Sequence, residues 1–157
     1  KAIELCRSGQ ERIADGGGTW TFTMICAHYI EALLEAGRID LAVAQQALGK
    51  KVLSTGERWG ESCLYVALAH LAEEQDDDRA ALEYFNKAIT SAEEQKARPF
   101  LAKAHLARGV YLASHSLEAS SRGDLEAAQS VFDELGMLHH KRMASNALSG
   151  QRVRRCL

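Results

Sequence analysis

The chain has 157 residues, which is enough for one ordinary domain with a substantial buried core. Its 19 basic and 21 acidic residues leave a net charge of −2, so charge provides no basis for binding nucleic acid or an anionic membrane. A hydrophobic fraction of 46% with a single proline favours long helices over a loop-rich or disordered chain.

Helical periodicity runs through almost the whole sequence. Apolar residues recur at spacings of three and four, as in Leu64, Leu68 and Leu71, and no segment shows the period of two that is typical of strands. Breaks at glycine, aspartate and proline separate about eight predicted helices. Their predicted spans are 1–14, 20–36, 39–54, 59–75, 78–95, 99–121, 124–135 and 139–149.

The sequence also repeats. Three pairs of residues share a spacing of 39, namely Trp20 and Trp59, Gly17 and Gly56, and Ala42 and Ala81. From Ala81 to Ala128 the spacing grows to 47. We therefore expect about two extra helical turns in the helix that follows Pro99, with its end at the turn Arg122-Gly123-Asp124.

The second helix of each predicted hairpin follows one pattern. The stretch DRAALEYFNKAI carries Ala81, Phe85 and Ala88 in small, aromatic and small positions, and GDLEAAQSVFDELG carries Ala128 and Phe132 likewise. In this pattern the sequence resembles the tetratricopeptide repeats. The longer spacing, with GERWGES between helices and FDELGM near the end, resembles the C-terminal repeat regions of large bacterial signalling proteins, such as LuxR-type ATP-dependent transcription activators and class III adenylate cyclases.

This resemblance implies an all-α fold, a right-handed α-solenoid of stacked antiparallel helix hairpins with seven or eight helices. A single repeat domain would span 1–149 and be followed by a C-terminal tail, 150–157. Within the domain we expect three full units between two partial ones. The partial units are 1–14 and 139–149, and the full units are about 19–55, 58–95 and 98–136.

The resemblance also implies binding positions on the concave face, on the first helix of each hairpin. The residues at these positions are Met24, Ala27, Glu31, Leu34, Cys63, Val66, His70 and Glu73. Most are apolar, which favours an apolar or amphipathic protein segment as the ligand. The alternative is that these side chains are part of the packing between helices.

No catalytic or cofactor motif accompanies the repeats, and the adjacent His139 and His140 do not have the spacing of metal ligands, so we expect no enzyme activity, cofactor or metal. The four cysteines form no CxxC pair, which favours a reducing, cytoplasmic setting. No apolar run is long enough for a membrane span.

The predicted function is protein–protein interaction or regulation within a larger bacterial signalling or transcription-regulatory protein. The predicted partner is a protein, a peptide or another domain of the parent protein, with the oligomeric state open. The alternative is a small-molecule sensor that controls an attached ATPase or nucleotide cyclase.

Overall fold

The computed structural model describes residues 2–16, 21–151 and 153, and over these residues it is all-α, without strands. The predicted all-α, repeat-like fold class is confirmed. None of the described helices is both long and apolar enough to cross a membrane. The helices are α1 (Ala2–Gly16), α2 (Phe22–Glu35), α3 (Ile39–Leu53), α4 (Glu61–Glu74), α5 (Asp78–Glu94), α6 (Arg98–Ser114), α7 (Glu118–Glu134) and α8 (Leu138–Leu148).

One backbone motif ends most of the helices. After α2, the N–H of Gly37 donates to the C=O of Leu34 at 3.0 Å, and the N–H of Arg38 donates to the C=O of Leu33 at 2.8 Å. These two bonds form the Schellman motif, which satisfies carbonyls that the helix end leaves without partners. The same two bonds close α4, α5, α6, α7 and α8.

The motif sets the length of the repeat. It requires one residue in the left-handed region, and from Gly37 to Gly136 positive φ angles occur at intervals of 19 or 20 residues. A helix with its turn therefore takes about 20 residues and a hairpin about 40. The positions are Gly37, Gly56, Asp76, Lys96, Ser116 and Gly136.

The third hairpin differs from the prediction. Helix α6 ends at Ser114, and Ser116 takes the left-handed conformation with a φ of 60°. Gly123, which the sequence analysis placed in a turn, lies inside α7. The two predicted extra turns are absent from α6. Ser121, 40 positions after Ala81, occupies the equivalent position in its own hairpin. Ala128 therefore corresponds to Ala88 and not to Ala81, so the predicted equivalence was wrong by seven residues, about two helical turns.

Small buried residues recur where the second helix of each hairpin packs. They stand 5 and 12 positions after the left-handed turn residue and therefore lie on one face, two turns apart. A larger residue is disfavoured at Gly49, because a Cβ there would lie 3.0 Å from a methyl group of Leu64. The residues are Ala42 and Gly49 in α3, Ala81 and Ala88 in α5, and Ser121 and Ala128 in α7.

The chain divides into two compact units, one up to Ala88 and the other from Ile89, so that α5 begins in unit 1 and ends in unit 2. In unit 1, α2 packs against α1, α3 and α4. Its largest fully buried side chains are Ile30, Leu33, Leu64, Leu68, Leu71 and Phe85. In unit 2, α6, α7 and α8 pack together around Ala102, Leu106, Leu125, Ala128, Phe132 and Ala144.

Candidate functional site

All eight predicted binding positions lie on α2 and α4, the first helices of two successive hairpins in unit 1. Six of them are buried, each less than a tenth exposed: Ala27, Glu31, Leu34, Cys63, Val66 and His70. Met24 and Glu73 are half-buried. For the six buried positions the structure therefore favours the packing alternative over an exposed ligand groove, and ligand binding at these positions stays a prediction.

The predicted positions do meet each other at one point. The Nδ1 of His70 lies 2.6 Å from Oε1 of Glu31, and both side chains are largely buried between α2 and α4. The two side chains therefore share one hydrogen bond between α2 and α4. The edge of the His70 ring contacts Phe85, with ring centroids 5.7 Å apart. These contacts give His70 a role in joining successive hairpins.

A second polar position recurs in all three hairpins. It consists of two residues. One stands 11 positions before the turn residue with a positive φ, and the other stands 8 positions after that residue. This position is not among those predicted from the sequence, although it follows the same spacing of 39 or 40 residues. The pairs are Cys26 and Gln45, Tyr65 and Tyr84, and His105 and Asp124. We call them the hairpin pairs.

In the first hairpin a side chain from α1 contacts both residues of the pair. Gln10 and Gln45 exchange amide hydrogen bonds of 3.2 and 2.9 Å, and Nε2 of Gln10 lies 3.4 Å from Sγ of Cys26. Burial raises the pKa of the Cys26 thiol to about 12, against a smaller lowering by the Gln10 hydrogen bond. Because a neutral thiol is a weak nucleophile, Cys26 is a packing residue.

In the second hairpin the pair consists of two half-buried rings. Tyr65 and Tyr84 stack with centroids 6.3 Å apart and an angle of 20° between their planes. The ammonium groups of Lys50 and Lys87 each lie 5.5 Å from the centroid of Tyr84. Two cations therefore share one aromatic ring, an arrangement that cation–π attraction stabilises.

In the third hairpin the pair is ionic. Arg108 holds Asp124 through two bonds, from Nε to Oδ2 at 2.6 Å and from Nη2 to Oδ1 at 2.7 Å. The Nδ1 of His105 lies 2.9 Å from Oδ1 of the same carboxylate. Burial by itself raises the pKa of Asp124, but the hydrogen bonds from Arg108 and His105 outweigh it and hold that pKa below its usual value. Asp124, which was predicted to lie in a turn, instead joins α6 to α7.

These arrangements connect helices to each other. Among the residues that the structure describes, no group of three or more histidine, cysteine or acidic side chains could hold a metal ion. The carboxylates of Glu31 and Asp124 are both engaged by side chains of a neighbouring helix. The hairpin pairs differ in how far they are covered, and the second leaves aromatic and cationic groups at the surface.

No protein-family model matches this chain, and comparisons with curated proteins and with solved structures also find no significant match.

Proposed function

We propose that this chain is a protein-interaction or regulatory repeat module. One observation carries the proposal: the framework positions are constant from hairpin to hairpin, whereas the hairpin pairs are not. Small residues recur in α3, α5 and α7, while the pairs change from thiol and amide to two tyrosines to an ion pair. A constant framework with variable side chains is typical of repeat proteins that bind partners.

The proposal includes the family and setting that the sequence resembles. We infer a tetratricopeptide-like module that works in the cytoplasm as part of a larger bacterial signalling or transcription-regulatory protein. Its own contribution is recognition by a preformed surface, and any chemistry belongs to domains attached to it. A preformed surface loses little conformational freedom on binding, so a few well-placed side chains are enough for useful affinity.

The test is a comparison of two ligand classes on the purified chain. An array of immobilised peptides is probed for saturable binding, and the chain is screened against a metabolite collection by thermal unfolding. We expect defined peptides to bind and no metabolite to raise the unfolding temperature. A metabolite that raises it reproducibly, with no peptide bound, would instead support a small-molecule sensor and overturn the proposal.

A further inference from the structure

The second hairpin pair lacks the cover that the first one has. In the first hairpin, Gln10 reaches from α1 and contacts both Cys26 and Gln45. The residue 39 positions later is Gly49 in α3, which has no side chain. A Cβ added at Gly49 would lie 3.0 Å from a methyl group of Leu64, which disfavours any larger residue there. Tyr65 and Tyr84 therefore stay half-buried.

The groups around the two rings are mostly cationic. Lys50 is exposed, and among the described residues it contacts no carboxylate. Lys87 is bonded to Glu83 at 2.5 Å, with both side chains about half exposed. Surface pairs of this kind contribute little to stability, so Lys87 can exchange Glu83 for another carboxylate at small cost. Glu61, which accepts a 3.4 Å bond from Tyr65, is already paired with Arg58.

The surface formed by Lys50, Tyr65, Tyr84 and Lys87 is here called the tyrosine–lysine patch. We propose that the tyrosine–lysine patch binds an acidic protein segment, in which carboxylates pair with Lys50 and Lys87 and an apolar side chain lies against the two tyrosine rings. The inference rests on the proposed function and adds the chemistry of the partner to it.

Two physical arguments favour this occupant. Lys50 and Lys87 both lie beside the Tyr84 ring, so acidic side chains brought to that ring can form an ion pair with each ammonium group. Tyrosine provides a large, rigid contact area with one polar atom, and it is enriched in the energetically dominant centres of protein interfaces. Basic and aromatic groups at one place thus match a segment that is acidic and apolar at once.

The experiment uses the intact chain and a labelled peptide of about ten residues, with two glutamates on each side of a central leucine in a glycine and serine background. Binding is measured by fluorescence anisotropy. We expect saturable binding that weakens as salt is added, because exposed charges are screened. A peptide with glutamine in place of every glutamate should bind at least about tenfold more weakly.

Matched variants locate the binding. Lys50→Gln and Lys87→Gln should each weaken binding about three- to fivefold, and Tyr84→Ala should weaken it about tenfold. Lys51→Gln is the control, because it removes the same charge from an exposed neighbour that does not contact the Tyr84 ring. Circular dichroism of each variant establishes that it is folded, which keeps a loss of binding interpretable.

Three outcomes overturn the inference even if the acidic peptide binds. They are equal loss with Lys51→Gln and Lys50→Gln, equal binding of the glutamine peptide, and tighter binding of a single-stranded oligonucleotide that displaces the acidic peptide. If the acidic peptide fails while other peptides of the array still bind, only this inference fails. If no peptide binds and a metabolite stabilises the chain, the proposed function fails as well.

Discussion

The carboxylate of Asp124 joins α6 to α7 because three donors converge on it in a site that is almost closed to solvent. Replacing it by asparagine removes the carboxylate that Arg108 and His105 contact. We expect Asp124→Asn to lower the free energy of unfolding by about 2 kcal/mol, less than the roughly 3–5 kcal/mol of a fully buried ion pair because Arg108 is a quarter exposed. Urea unfolding at pH 7 measures the change.

The control for Asp124 is Asp133→Asn, which removes an exposed ion pair with Lys141 and should cost less than about 0.5 kcal/mol. The pH dependence follows from the lowered pKa of Asp124. Its stabilising effect is present above the usual pKa of 3.8 and is lost as the pH falls through the folded-state pKa. An equal loss of unfolding free energy in Asp124→Asn and Asp133→Asn would contradict the role of Asp124 in joining α6 to α7.

A second residue, His140, predicts a pH effect at milder acidity. Its Nε2 is buried without a hydrogen-bond partner, and the ring lies 5.2 Å from that of Phe132. Burial, with smaller contributions from Lys103 and His139, lowers the pKa of His140 from 6.5. The unfolded chain then binds the proton more readily, so the free energy of unfolding should fall as the pH drops from above 6.5 through the folded-state pKa.

The measurement for His140 is thermal unfolding at a series of pH values. His140→Leu removes the titrating group and should flatten the decline in unfolding temperature below pH 6.5. His139→Gln, at an exposed neighbour, should leave that decline in place. A decline that is unchanged in His140→Leu would show that other groups cause it.

At the scale of the helices, Gly123 and Gly136 give opposite expectations for one substitution. Gly123 lies inside α7 with open space around its Cβ position, so Gly123→Ala should stabilise the chain by about 0.5–1 kcal/mol. Gly136 also has open space but a φ of 67°, so Gly136→Ala should destabilise it by about 1 kcal/mol. Denaturant unfolding of both variants decides whether α7 passes through Gly123.

The same two glycines show what the sequence could predict of the fold. Periodicity located most of the helices, and glycine marked the turns at Gly37 and Gly136 correctly. The turn at Ser116 could not be read in this way, because serine has no intrinsic preference for a positive φ and is held there by the Schellman bonds. Gly123 followed by Asp124 imitates a turn, and this shifted the predicted third hairpin by two helical turns.

The candidate site was predictable to a similar extent. Glu31 and His70 are 39 residues apart, and their side chains are in contact. Spacing along the chain gives equivalence, but exposure depends on what neighbouring helices cover. For that reason the predicted positions are largely buried, while Tyr65 and Tyr84, at another repeat position, reach the surface.

At the scale of the whole molecule, the repeat predicts that stability is local. Each of the two units has its own core, and in repeat proteins stability is approximately a sum over units and their neighbours. Phe132 is fully buried in unit 2, and Phe132→Ala should cost about 3–5 kcal/mol. We expect hydrogen exchange in this variant to increase strongly in α6, α7 and α8 and little in α2 and α4.

Leu33→Ala, in the core of unit 1, is the reciprocal control and should reverse the pattern. Mass spectrometry of peptic fragments resolves the helices separately, and an equal increase in all of them from either substitution would mean that the chain unfolds as one cooperative unit.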